Sequence, residues 1–404
     1  MAKVPNIRFK GFSDEWKEAS LSEYLTVSTE RNENDQYTAH DILSVSGEYG
    51  VVNQIEFQGR SFAGASLLNY RVIHHGEVAY TKSPLKQSPY GIIKANKSVT
   101  GIVSALYGVY KKKKGDPNFI QDYFDLLSRL NNYLRPLVNK GAKNTLLITD
   151  EDAISGKVVF PKENEQKKIS AFISHLSATI SQREKELQKL KNIKRALLER
   201  MFPQDGQNTP SIRFKGFTGE WSNVPFGKLI IEDKEVSTVE NEDILLSSAI
   251  EGMFLNSELF GHQRGQSNIG YRKVTKGMLI LSAQNLHLGN ANVNLRFDHG
   301  IVSPAYKTYH IQGADTEFMA VWVKREETKA FFDKATTAGA SMCRKNINWD
   351  DLYQQDLVMP LNNEQKKIGK FILTLDKLII LRKKYIEQMK HTKQALLEQM
   401  FVNE

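Results

Sequence analysis

The chain has 404 residues, with 40% hydrophobic and 25% charged side chains, close to ordinary globular values and unlike collagenous or disordered chains. It lacks any run of about 18 apolar residues that would span a membrane, and residues 1–6 carry no secretory apolar stretch, so a cytoplasmic protein is expected, with no membrane partner. A single cysteine, Cys343, excludes intramolecular disulfides and multi-thiolate zinc sites. The net charge of +9 divides as +8 in residues 1–202 and +1 in the remainder, which tilts the expectation towards a polyanionic partner.

The chain opens with Ile7-Arg8-Phe9-Lys10-Gly11-Phe12 followed by Glu15-Trp16, and the pattern returns as Ile212-Arg213-Phe214-Lys215-Gly216-Phe217 followed by Glu220-Trp221. Further matches follow in order. Tyr70-Arg71 returns as Tyr271-Arg272, Gly101-Ile102-Val103-Ser104 as Gly300-Ile301-Val302-Ser303, and Asn164-Glu165-Gln166-Lys167-Lys168-Ile169 as Asn363-Glu364-Gln365-Lys366-Lys367-Ile368. A period of about 200 residues is too long for a solenoid and marks a duplicated domain pair. The ends of the copies agree while residues 42–66 and 244–268 share little, as expected of one scaffold presenting two surfaces.

Residues 1–160 and 211–359 mix short apolar runs, such as Gly101–Tyr110 and Gly300–Tyr309, with Gly and Asn turns, which predicts two α+β domains. Phe9, Phe12 and Trp16 are expected to plug a core rather than to stack on bases. Asp116-Pro117 reads as a helix cap and first helical position, not as a methyltransferase loop.

Cations and amides in the loops are the candidates for nucleic-acid contact. Lys111, Lys112, Lys113 and Lys114 precede Gly115; Lys143-Asn144 and Arg344-Lys345 come after Gly141-Ala142 and Gly339-Ala340, whose glycines allow close backbone approach. Arg60, Lys82 and Ser83 in the first copy, and Arg264, Gln266, Asn268, Gln284 and Asn285 in the second, have the donors and acceptors that read base edges. Each of these positions also fits a solvated polar turn.

Residues 161–202 and 360–404 predict long helices. Ile169, Ile173, Leu176, Ile180, Arg183, Leu187, Leu190, Lys194, Leu197 and Met201 step by alternating four and three, and Ile368, Ile372, Leu375, Ile379, Arg382, Ile386, Met389, Lys393, Leu396 and Met400 repeat the steps. That is a coiled-coil seam whose polar breaks coincide and can fix register. Each helix follows a proline, with Asn164 or Asn363 as the expected cap, and spans about 57 Å at 1.5 Å per residue. Residues 203–210, polar and bounded by prolines, read as the linker between copies.

No phosphate loop, dinucleotide fingerprint, zinc-protease helix or nucleophile elbow stands in the sequence, and Asp152 with Glu165-Gln166-Lys167 fits a nuclease pattern only loosely. A chain without its own chemistry is expected.

The doubled Arg-Phe...Trp opening and the doubled Asn-Glu-Gln-Lys-Lys-Ile to Leu-Leu-Glu...Met-Phe helix resemble the specificity subunit of type I restriction-modification systems, over nearly the whole chain. The resemblance implies two target-recognition domains, at 1–160 and 211–359, each reading half of a bipartite, asymmetric sequence in double-stranded DNA. It implies an antiparallel helix pair that sets the gap, and half-sites about one helical turn apart, roughly 34 to 36 Å. It also implies modification subunits with the methyltransferase site and restriction subunits with the motor and nuclease. S-adenosylmethionine, ATP and Mg would sit on those partners, with no cofactor or metal on this chain. The rival reading from the sequence is a coiled-coil adaptor joining two protein-binding domains.

Overall fold

A computed structural model describes residues 3–33, 35–62, 64, 66–140, 146–260, 267–341 and 344–402. The protein is α+β and divides into two compact units, Met1–Glu184 with Lys384–Glu404, and Lys185–Lys383. Neither unit is one half of the sequence, because each takes a portion of both long helices.

In chain order the first half forms β1 (Lys17–Ser20), β2 (Leu25–Val27), β3 (Leu43–Ser46), β4 (Gly50–Asn53), α1 (Gln54–Gln58), β5 (Arg71–Ile73), β6 (Val78–Tyr80), β7 (Ile93–Ala95), β8 (Gly101–Val103), β9 (Gly108–Lys112), α2 (Pro117–Phe124), α3 (Leu127–Leu134), β10 (Asn139–Lys140), β11 (Leu146–Leu147), β12 (Lys157–Phe160) and α4 (Glu163–Arg200). The second forms β13 (Ser222–Pro225), β14 (Ile230–Asp233), β15 (Leu246–Ala249), β16 (Gly252–Leu255), α5 (Asn256–Leu259), β17 (Arg272–Thr275), β18 (Leu279–Ser282), β19 (Ala291–Val293), β20 (His299–Val302), β21 (Tyr306–Ile311), α6 (Thr316–Trp322), α7 (Glu326–Asp333), β22 (Thr336–Ser341), β23 (Arg344–Ile347), α8 (Trp349–Gln354), β24 (Asp356–Met359) and α9 (Asn362–Gln399).

The two topologies correspond strand for strand. The sheet β2-β9-β6-β7 returns as β14-β21-β18-β19, and the pairs β1-β12, β3-β4, β5-β8 and β10-β11 return as β13-β24, β15-β16, β17-β20 and β22-β23. All of these pairs are antiparallel. The runs Gly101–Tyr110 and Gly300–Tyr309, which read as single strands, are each two strands broken by a turn. Tyr107 N–H donates to Ser104 O and Tyr306 N–H to Ser303 O, both at 3.0 Å.

The helix starts also differ from the sequence reading, since α4 and α9 begin before Asn164 and Asn363. Those asparagines lie inside the first turn, and the repeated Glu and Gln beside them are what hold each helix start. Arg8 grips Glu165 with two bonds of 2.7 Å, and Arg213 grips Glu364 at 2.9 and 2.6 Å. Gln166 donates to Pro161 O and accepts from Asp116 N–H; Gln365 does the same with Pro360 O and Asp315 N–H. One motif therefore ties the opening arm, the strand end and the next helix cap to the long helix.

The opening arm is anchored identically in both places. Ile7 N–H donates to Gln399 O and Trp16 N–H to Lys3 O, while Ile212 N–H donates to Arg200 O and Trp221 N–H to Asn208 O. Trp16 and Trp221 lie in the two main cores.

In the first unit the core gathers Trp16, Phe119, Tyr123 and Phe160 with Leu397, Met400 and Phe401 from the end of α9. The second unit gathers Trp221, Phe318 and Trp322 with Met201 and Phe202 from the end of α4. Edge-to-face ring pairs such as Trp16–Phe119 and Trp221–Phe318 add about 1 kcal/mol each beyond the area they bury.

The helices pack antiparallel within each unit. Glu184 pairs with Lys390 in the first, and Glu186 with Arg382 and Lys194 with Asp376 in the second. Ile169, Ile173, Ile180, Leu187, Ile368, Ile372 and Ile386 are buried, and Leu176, Leu190, Leu197, Leu375, Ile379, Met389 and Leu396 partly so. Gly369 brings α9 onto the start of α6, where a Cβ would meet Phe318 N at 2.5 Å.

Candidate nucleic-acid interface

The structure ties down most of the cations singled out from the sequence. The four lysines of β9 and the following turn are exposed, and each has a partner. Lys111 reaches Glu30, Lys112 Glu163 and Lys114 Glu23, while Lys113 donates to Ser22 O. Its bond to Glu23 makes Lys114 hold its proton more firmly than a free lysine. They flank the start of α4 and α2, with Asp116 capping α2 as its N-cap residue.

Lys82 sits at a left-handed φ of 46°, and its ammonium is 2.6 Å from Asp150, which also holds Arg71 at 2.7 Å. All three side chains are largely buried, so this triad braces the loop after β6 from within. Ser83 beside it is half-buried. Arg60 is exposed and lies over the Phe62 ring, 4.6 Å from its centroid.

In the second unit Asn268 is 1% exposed. It accepts from Asn241 N–H and donates to Asn241 Oδ1, pinning one loop to another. Gln284 is exposed and Asn285 half-buried; Lys345 pairs with Asp333 and holds that carboxyl below the usual range. Lys143, Asn144, Arg264 and Gln266 lie outside the described residues, as does the side chain of Arg344.

Three features escaped the sequence reading. The hairpin β3–β4 with α1, and its counterpart β15–β16 with α5, fall in the segments whose sequences diverge, yet they are built alike. Gln54 donates to Ser44 Oγ and Asn256 to Ser247 Oγ, both at 3.0 Å. Only a comparison in space, not in letters, finds that equivalence.

Next to the first hairpin runs a groove of about 920 Å³, lined by its tip, the loop around Lys86, Lys97 and the helix residues Glu184, Lys390 and Lys393. The third feature, Asp122, lines the same groove and is 2% exposed. Burial pushes its carboxyl up to about 7, against the opposing pull of Lys97 and Lys393. One of its oxygens, Oδ2, has no hydrogen-bond partner.

Among the described residues no three His, Cys, Asp or Glu side chains gather as a metal site, and no helix is long and apolar enough to cross a membrane. No family model matches the sequence. Among solved structures, the S subunit of the type I restriction-modification system from M. genitalium matches with a TM-score of 0.57 at 12% identity, over 99% of this chain and 100% of that one. The chain has the fold of a type I restriction-modification S subunit.

Two further structures are similar over nearly the full length. The HsdS subunit from Thermoanaerobacter tengcongensis gives a TM-score of 0.45 at 15% identity, over 96% of this chain and 97% of that one. A chain from a structure concerned with complex assembly and conformational transition of the type I R-M system gives 0.48 at 16% identity, with the same coverage.

Proposed function

We propose that this chain is the DNA-recognition subunit of a type I restriction-modification complex, working in the cytoplasm. Its two globular domains read unlike halves of a bipartite site in double-stranded DNA, and the paired helices set the gap. The observation that carries this reading is one strand framework built twice, with different side chains at the exposed tips of equivalent hairpins. The shared fold supports it.

Modification and restriction subunits dock on the chain and bring S-adenosylmethionine, ATP and Mg; the chain itself performs no chemistry. Leu378, Ile380 and Leu381 are exposed on α9, where α4 has Thr179, Ser181 and Gln182. Apolar side chains in such positions suit a protein contact.

Mapping methylated sites in cells with and without the gene tests the proposal. A bipartite methylation motif that disappears with the gene is the expected result. An unchanged pattern while the modification subunit is present rejects it.

A further inference from the structure

Reading base edges requires side chains that protrude from a frame firm enough to hold them. In the first unit Gln54 supplies that frame. It donates to Ser44 and accepts from Phe62 N–H at 2.8 Å, which folds the segment after α1 back onto the helix. From this frame Tyr49, Phe57 and Phe62 stand 59%, 46% and 56% exposed. The Tyr49 and Phe57 rings lie 5.3 Å apart, and Arg60 caps Phe62.

Three large aromatics left in solvent on one hairpin module mark a contact surface. The equivalent hairpin of the second unit keeps the bond to the strand serine, Asn256 to Ser247, and changes the chemistry, with Glu251 and Leu259 at the places of Tyr49 and Phe57. A merely structural module would have no reason to keep the one and vary the other. The hairpin tip also shares its groove with Lys86 and Lys97, neither of which forms an ion pair among the described residues.

Building on the DNA-recognition role above, we propose that β3–β4 and α1 form the reading head of the first unit. Tyr49, Phe57, Arg60 and Phe62 meet base edges, and Lys86 and Lys97 meet the flanking phosphates. Arg60 has the fork that matches guanine O6 and N7, and the rings suit thymine methyl groups.

The test is selection from a random duplex library by the full chain assembled with its modification subunits. Wild-type protein should select a two-part motif. Arg60→Gln and Phe57→Ala should lose about tenfold or more of the base preference at positions in one part only, leaving the other part intact, and Phe57→Tyr should retain most of it. Lys86→Gln with Lys97→Gln should weaken binding to all sequences alike and reduce the salt slope by about one per lost contact.

The intact second part reports that each variant is folded. An unchanged motif in both aromatic and arginine variants overturns the proposal, as does loss of both parts together. Failure of the wild-type protein to select any motif removes the DNA-recognition reading itself, and this head with it.

Discussion

Phe401, from the end of α9, packs 5.2 Å from Phe119 at the start of α2, the relation that Phe202 has to Phe318 at 5.4 Å. Each core is thus completed by a ring from the far end of the other copy's helix. Phe401→Ala should cost about 3 to 5 kcal/mol and expose the first unit to protease before the second. Phe202→Ala should reverse that order, as read by cleavage mapping with mass spectrometry during a thermal ramp.

Glu165 is buried and accepts from both Nε and Nη2 of Arg8. Removing one partner leaves a charge without its counterion, so Glu165→Leu should destabilise by about 3 kcal/mol in urea unfolding. The double change Arg8→Met with Glu165→Leu should recover most of that, because a buried ion pair contributes little over a packed apolar pair. Lack of recovery would mean that the pair has a further duty in setting the arm's course.

Asp122 makes stability depend on pH in the direction opposite to most carboxylates. Its folded group titrates near 7, whereas an unfolded aspartate ionises near 4. Between those values the folded state keeps a proton that the unfolded state has lost, so stability falls as pH rises from about 4 to about 7 and is level above. Asp122→Asn removes the effect. The variant should be more stable than wild type at pH 8, by about 4 kcal/mol, with the gain fading towards pH 4 in parallel denaturation series.

An insertion of four residues after Leu187 separates two ion pairs on the same helix, Glu186 with Arg382 and Lys194 with Asp376. It lengthens α4 by about 6 Å. If the helices set the gap, the selected motif should gain or lose one or two central positions while both flanking parts stay the same. Altered bases inside a part would contradict the spacer role.

The duplication, the α+β class and the long helices were legible because they rest on local periodicity and on letters that recur. Asp116-Pro117 was legible as a helix start for the same reason, since cap chemistry is local. The turn inside Gly101–Tyr110 was not, because Ser104, Ala105 and Leu106 carry no Gly, Pro or Asn signal and the chain reverses through pairing with distant strands. Nor could the sequence tell that Lys82 meets Asp150, 68 residues on, or that Asn268 is buried against Asn241. The likeness of the two hairpins stayed hidden for a different reason. They share the bonds of Gln54 to Ser44 and of Asn256 to Ser247, but few residues in line, and the loops at their tips differ in length.

The matched anchoring of the two opening arms has a consequence for which positions the sequence must keep. Ile7 N–H bonds Gln399 O at the end of α9 as Ile212 N–H bonds Arg200 O at the end of α4, so the arm of each copy is clasped by the helix of the other. Both clasps join backbone groups, so they place no demand on side chains at those four positions, and the letters there are free to drift without loosening either arm.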